Sequence, residues 1–222
     1  MKPLHPWSIS IEEAIQIQED LRNHVILEKT FTEVRSVGGA DVAYSKDGNF
    51  LFGAIVVLSF PKMEPLETAT AHGEVPFPYI PGLLSFREAP ILIETFKKLK
   101  VKPEVMIYDG QGIAHPRGIG LATHMGLWLD LPSIGCTKTP LLNDFIWPRP
   151  PKGSYESIQR EGKEVGAVLR TKDRVKPIFI SPGHRIDLQT SIQVILATCP
   201  KFRNPEPLRR AHQASCLWES NK

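Results

Sequence analysis

Cysteine is scarce in this 222-residue chain: Cys136, Cys199 and Cys216 are widely separated, odd in number, and form no Cys-x-x-Cys pair. With no histidine nearby at zinc-binding spacing either, the three read as reduced structural residues, and a disulfide-framed scaffold or structural zinc site is excluded. Long apolar runs are also missing; none approaches the roughly 18 residues a membrane-spanning helix needs, so no membrane partner is expected. The net charge of +3 is too small to mark a nucleic-acid partner by itself. Basic runs at Lys97, Lys98, Lys100 and Lys102, and at Arg209 and Arg210, read as solvated helix faces. Met1 to Glu19 is polar and acidic where a secretory leader would be basic and then apolar, which makes the cytoplasm the expected location. There is no internal repeat and no low-complexity tract. What remains is a composition of 41% hydrophobic and 23% charged residues, ordinary for a globular chain and sufficient for one domain over residues 1–222.

Periodicity supplies the elements. Ser10 and Glu13 form a capping-box pattern ahead of Ala14, Ile17, Leu21 and Val25 at helical spacing, which predicts a first amphipathic helix. Val37–Ser45, Phe50–Phe60 and Glu64–Val75, separated by Lys46–Asn49 and Pro61–Met63, predict a three-stranded antiparallel meander. The run Ala54–Leu58 is continuously apolar, as in a strand buried on both faces. Leu83–Lys100 reads as a helix in which Pro90 requires either a start near Arg87 or a kink near Phe86. A strand over Glu104–Asp109, a helix near Gly118–Leu129 and a strand over Ser133–Thr137 imply a parallel pair. Trp147–Gly153 is a proline-rich loop, and Val165–Arg170 with Pro177–Ile180 suggest a further hairpin. Helices are expected over Asp187–Thr198 and from Asn204-Pro205-Glu206 through Trp218. The fold class is therefore α/β, a central mixed sheet of three antiparallel strands followed by parallel strands, flanked by helices.

The chemistry concentrates on acids. Asp109 ends an apolar strand and is followed by Gly110 and Gly112, a placement that presents a carboxylate at a sheet edge, although Asp-Gly is also ordinary turn chemistry. Asp41 lies inside a strand, where an acid needs a partner such as a metal ion unless it sits at a bulge. Glu88 lies near the start of the next helix, where it also completes a capping-box pattern with Ser85. Two or three carboxylates gathered at one sheet edge, with no cysteine, suit Mg²⁺ or Mn²⁺. Pro78-Tyr79-Ile80-Pro81 reads as a stiff loop, either an apolar wedge or a turn that packs Tyr79 on the core. His115 and His212 are each consistent with a structural histidine when taken alone.

These residues fall in ordered blocks: Gly39-Ala-Asp41, Phe77 to Glu88, Asp109 to Arg117, His124-Met-Gly126, Ser181-Pro-Gly-His184 and Arg210-Ala-His212. Across nearly its full length the chain resembles the endonuclease V family of deoxyinosine 3′ endonucleases. The resemblance implies a ribonuclease-H-like fold and a magnesium-dependent nick at the second phosphodiester bond 3′ to hypoxanthine, leaving 3′-hydroxyl and 5′-phosphate ends. It implies Asp41, Glu88 and Asp109 as metal ligands, His212 beside the attacking water and Lys138 near the scissile phosphate. It further implies Pro78, Tyr79, Ile80 and Pro81 as the DNA wedge, with Gly82, Leu84, Gly110, Gly112 and Gly120 around the base and His115 ordering the loop after Asp109. Departures from the common pattern are small, such as Ser85 and the Cys136-Thr137 pair before Lys138. The expected partner is inosine-containing DNA, with RNA or single-stranded DNA as alternatives, acted on by a monomer. An inosine-specific endoribonuclease and a non-catalytic nucleic-acid binding module are the competing readings.

Overall fold

The computed structural model describes residues 3 to 220, and it opens with α1 (Ile11–Arg22). Ser10 Oγ accepts from the Glu13 N–H at 3.2 Å while the Glu13 carboxylate accepts from the Ser10 N–H at 2.7 Å, so the capping box closes in both directions. The helix stops short of Val25, and its buried residues are Ala14 and a polar one, Gln18.

Three antiparallel strands follow, β1 (Ser36–Tyr44), β2 (Phe50–Ser59) and β3 (Pro65–Glu74). Residues 51 to 58 of β2 are all buried, as an unbroken apolar run between two covered faces requires. On its other side β1 pairs in parallel with β4 (Val105–Asp109), and β4 in parallel with β5 (Ser133–Thr137). Helix α2 (Leu84–Lys98) links β3 to β4, and α3 (Leu121–Leu129) links β4 to β5. The expected hairpin is present as β7 (Lys163–Leu169) against β8 (Ile178–His184), and β8 also closes onto β5. One strand went unpredicted, β6 (Tyr155–Arg160), because only Ile158 of its six residues is buried and apolar alternation is absent. The order β3-β2-β1-β4-β5-β8-β7-β6 is a mixed sheet of ribonuclease-H-like form, completed by α4 (Leu188–Ala197) and α5 (Glu206–Ser220).

Pro90 does not delay α2, which starts at Leu84 and runs through the proline, so the alternative of a start near Arg87 is set aside. Leu83 is the N-cap and no side chain caps it; Ser85 instead meets His124 Nδ1 at 2.9 Å, and no capping box with Glu88 forms. The lysines at the end of α2 suit its negative dipole end, with Lys97 paired to Glu94 and Lys102 donating to the Phe96 carbonyl.

Alternation along β4 decides which way the chemistry faces. Val105 and Ile107 pack with Ile192 of α4 and Leu208 and Ala211 of α5, whereas Met106 and Tyr108 pack with Leu92 and Phe96 of α2 and Met125 of α3. Each such buried side chain contributes about 1.5–3 kcal/mol, which fixes the register against a one-residue slip. Asp109 continues the parity of Ile107 and so faces α5. In β1 the same face carries Gly39 and Asp41. Gly39 lets α5 come close, because a Cβ there would collide with the Pro207 backbone.

Candidate active site

The parallel register Ala40↔Tyr108 makes Asp41 and Asp109 the next residues of two adjacent strands, both at the same sheet edge. No bulge accounts for Asp41: its pairing to β2 runs without a break through Gly39↔Val56, Ala40↔Ile55 and Asp41↔Ala54. The buried Asp41 carboxylate is satisfied from α5 instead. Its Oδ2 accepts from Ser215 Oγ at 2.7 Å and lies 3.2 Å from His212 Nδ1. Glu88 reaches the edge from the opposite face of the sheet, on α2, where its Oε1 accepts from the Tyr44 hydroxyl at 2.6 Å. The Arg87 guanidinium stands 5.0 Å over the Tyr44 ring and holds that phenol in place.

The acids feel one another. Burial pushes the Glu88 carboxyl up to about 8, the Tyr44 hydrogen bond opposes this, and the charges of Asp41 and Asp109 add to the rise. Asp109 is raised as well, first by burial and then by Asp41, against the positive charge of Lys138 and His212. Among the described residues no group of three or more His, Cys, Asp or Glu side chains is placed to hold a metal ion. Asp41 and Asp109 come from the sheet's α5 face and Glu88 from the α2 face. The Asp41 charge bears on both Glu88 and Asp109, and the Asp109 charge on Glu88. An all-oxygen set of this kind fits a hard divalent cation, which takes one or two carboxylates and keeps several waters.

Asp109, Lys138 and His212 line one small cleft of about 60 Å³, together with Asn204 and Arg209. Beside it lies a larger cavity of about 260 Å³. Tyr79, Ile80, Pro81, Gly82 and Leu84 wall it on one side and Thr139, Pro140 and Leu141 on another, with Gly110 and Gly120 also in its lining. Gly112 is not in that lining; its N–H donates to Ser181 Oγ at 2.7 Å and it supports the wall from behind. The two cavities are contiguous through the chain itself. Asp109 lines the cleft, Gly110 lines the cavity, and Thr137 lines both.

Tyr79 is 70% exposed, which overturns the alternative of a turn packing it on the core. Ile80 is half-buried against Phe77, Leu83 and Phe86 and anchors the loop. Gly82 adopts φ +82°, a left-handed conformation that favours glycine. Its carbonyl accepts from Gln18 Nε2 at 3.0 Å, His115 Nε2 at 3.0 Å and Arg117 Nη2 at 2.8 Å. The Arg117 N–H donates to His115 Nδ1 at 3.1 Å, which leaves the imidazole proton on Nε2. Burial and the neighbouring Arg117 charge pull His115 down to about 4, so the neutral ring persists at physiological pH.

Four of these residues escaped sequence reading: Tyr44, Ser215, Gln18 and Arg117. The available signal was Gln18, a polar residue one turn after Ala14 on the buried face of α1. The partners of Tyr44 and Ser215 lie far away in sequence and left no local trace.

Comparison with known proteins gives a consistent result. A family model described as Endonuclease V matches residues 19–213. The endonuclease V of Dictyoglomus turgidum is 51% identical over 201 residues, 90% of this chain and 87% of the relative. The crystal structure of endonuclease V from Streptomyces avermitilis superposes with a TM-score of 0.91 at 40% identity, covering 97% and 96% of the two chains. Endonuclease V of Ciona intestinalis, solved with a 23mer DNA containing an inosine followed by a ribo-adenosine, gives a TM-score of 0.84 at 27% identity over 96% and 99%.

Proposed function

The chain belongs to the endonuclease V family of nucleases, and from that premise we propose that it is a repair endonuclease for deaminated adenine. It nicks DNA at the second phosphodiester bond 3′ to hypoxanthine and leaves 3′-hydroxyl and 5′-phosphate ends. Asp41, Glu88 and Asp109 would hold Mg²⁺, with Mn²⁺ as a substitute, and the bound ion would neutralise the phosphate and acidify a water. The observation that carries this reading is the contiguity of cavity and cleft. The cavity has main-chain groups and glycines suited to a flat base, and the cleft has an acid, a lysine and a histidine suited to a phosphodiester.

Each residue has a task on this reading. Lys138, exposed at the end of β5, supplies positive charge to the phosphate. His212 is oriented by Asp41 through Nδ1 and offers its other nitrogen to the attacking water. Hypoxanthine presents O6 as acceptor and N1–H as donor, and main-chain N–H and C=O groups around Gly82, Gly110 and Gly120 read that pair. Tyr79 fills the gap left in the stack when the base rotates out, offsetting part of an unstacking cost of a few kcal/mol. The chain acts as one domain and as a monomer.

A second reading, cleavage of inosine-containing RNA on the same scaffold, is favoured by the ribo-adenosine that follows inosine in the Ciona complex. One gel of matched inosine DNA and inosine RNA oligomers, with and without Mg²⁺, separates the two. The expected result is Mg²⁺-dependent cutting of the DNA strand at the stated bond. Faster cutting of RNA moves the assignment to the endoribonuclease, and no cutting of either rejects both.

A further inference from the structure

We propose that Ile146 and Trp147 form a second nucleic-acid contact, an apolar shelf on which a base flanking the recognised nucleotide stacks; this rests on the functional reading above. Both side chains face outward, Ile146 at 70% and Trp147 at 56% exposure, in a chain that buries most of its large apolar residues. The shelf has an ordered backing. Trp147 meets Phe145 edge-on at 5.2 Å and Phe179 at 6.1 Å, while Phe145 meets Phe179 at 4.9 Å over a small core with Ile158 and Val168. Arg170 pins the loop backbone, donating to the carbonyls of Pro148 at 3.0 Å, Arg149 at 3.2 Å and Val175 at 2.6 Å.

Position argues for the occupant. Phe179 is the register partner of Thr137, the residue shared by the cavity and the cleft, so the backing lies one strand away, about 4.8 Å in sheet spacing. Its neighbour Ile178 lines the cleft from the opposite side of the same strand. The same segment supplies Leu141 to the cavity wall, and it carries Lys138, Arg149 and Lys152 against the single acid Asp144. An aromatic surface on a net-basic segment that also walls the base pocket fits a polyanion whose every unit has a π-face. The occupant is therefore the strand that carries the target base.

The test uses the full chain with cleavage blocked by Asp109→Asn. Trp147→Ala, Trp147→Phe and Ile146→Ala are compared for binding of a fluorescein-labelled inosine oligomer by anisotropy. Trp147→Ala is expected to weaken binding by about ten- to a hundredfold, with Trp147→Phe restored to within about threefold. The slope of log affinity against log salt stays unchanged, because no ionic contact is lost. The oligomer also quenches tryptophan emission less in Trp147→Phe than in its parent. If the parent prefers inosine over adenine oligomers while Trp147→Ala binds as tightly, the shelf is refuted and the functional reading stands. If the parent shows no such preference, the functional reading fails first. If Trp147→Ala leaves oligomer affinity intact but abolishes self-association in sedimentation, the surface belongs to a second copy of the chain, and the proposal falls.

Discussion

Acid should loosen this protein through a histidine remote from the acidic cleft. His124 is fully buried on α3, with Nδ1 2.9 Å from Ser85 Oγ and Nε2 2.7 Å from His5 Nε2. Burial first, and the neighbouring His5 second, pull its pKa from 6.5 down to about 3. The folded state therefore refuses a proton that the unfolded chain accepts, so stability is fully present above pH 6.5 and is lost as pH falls toward 3. At pH 4.5 the unfolded histidine is almost wholly protonated and the folded one almost wholly neutral, a loss of about 3 kcal/mol relative to pH 7.5. Glu88 works in the opposite sense, since a carboxyl raised to about 8 keeps a proton that the unfolded chain has released above pH 4.5. The whole-protein curve mixes these contributions with those of His115 and Asp109, and the variant His124→Gln isolates the His124 part. Urea unfolding in chelator at pH 7.5 and 4.5 should show the parent losing about 3 kcal/mol more than the variant between the two pH values. At pH 7.5 the variant itself should be weaker by about 1–3 kcal/mol, from the partners left by the imidazole. Equal losses in parent and variant refute the reasoning.

Further outcomes follow from the site. Asp41→Asn and Asp109→Asn should remove cleavage while inosine-oligomer binding in an anisotropy titration stays within about threefold; Mg²⁺-dependent nicking by either variant contradicts the metal assignment. His212→Ala should lower the single-turnover rate by about 10²–10⁴-fold, and an unchanged rate removes it from the chemistry. Arg117→Ala takes one donor from the Gly82 carbonyl and the Nε donor, 2.6 Å away, from Gln18 Oε1. It should cut the inosine-to-adenine ratio of kcat/KM by about tenfold and cost about 1–3 kcal/mol in a urea melt; lost stability with an intact ratio leaves Arg117 a scaffold residue only. Gly39→Ala places a methyl group against the Pro207 backbone and should destabilise by about 1–3 kcal/mol in the same melt, a value near zero showing that α5 yields easily.

Local patterns carried much of this architecture. The Ser10–Glu13 box, the apolar run of β2 and the strand ending at Asp109 were each legible because neighbours in sequence act on one another. Side chains that act across the fold were not. Ser215 holds Asp41 from 174 residues away, and Tyr44 holds Glu88 from 44 away, distances over which periodicity carries no information. The strand β6 was missed for another reason. It lies at the sheet margin, so its residues face water on much of their surface and the alternation that marks a half-buried strand is diluted. Its turn is built by Glu161 and Gly162, both at positive φ, without the Asn-Gly pair that usually marks such hairpins. The alternative of a Ser85–Glu88 capping box is not realised, because it fits a helix start two residues later than the observed one.

Gly110 follows Asp109 with a single peptide link between them, and that link joins the cavity to the cleft. On the proposed reading it acts as a ruler of covalent length. Substitutions elsewhere would then slow the cut or blur what is accepted, while the incision would stay a constant number of nucleotides from the lesion.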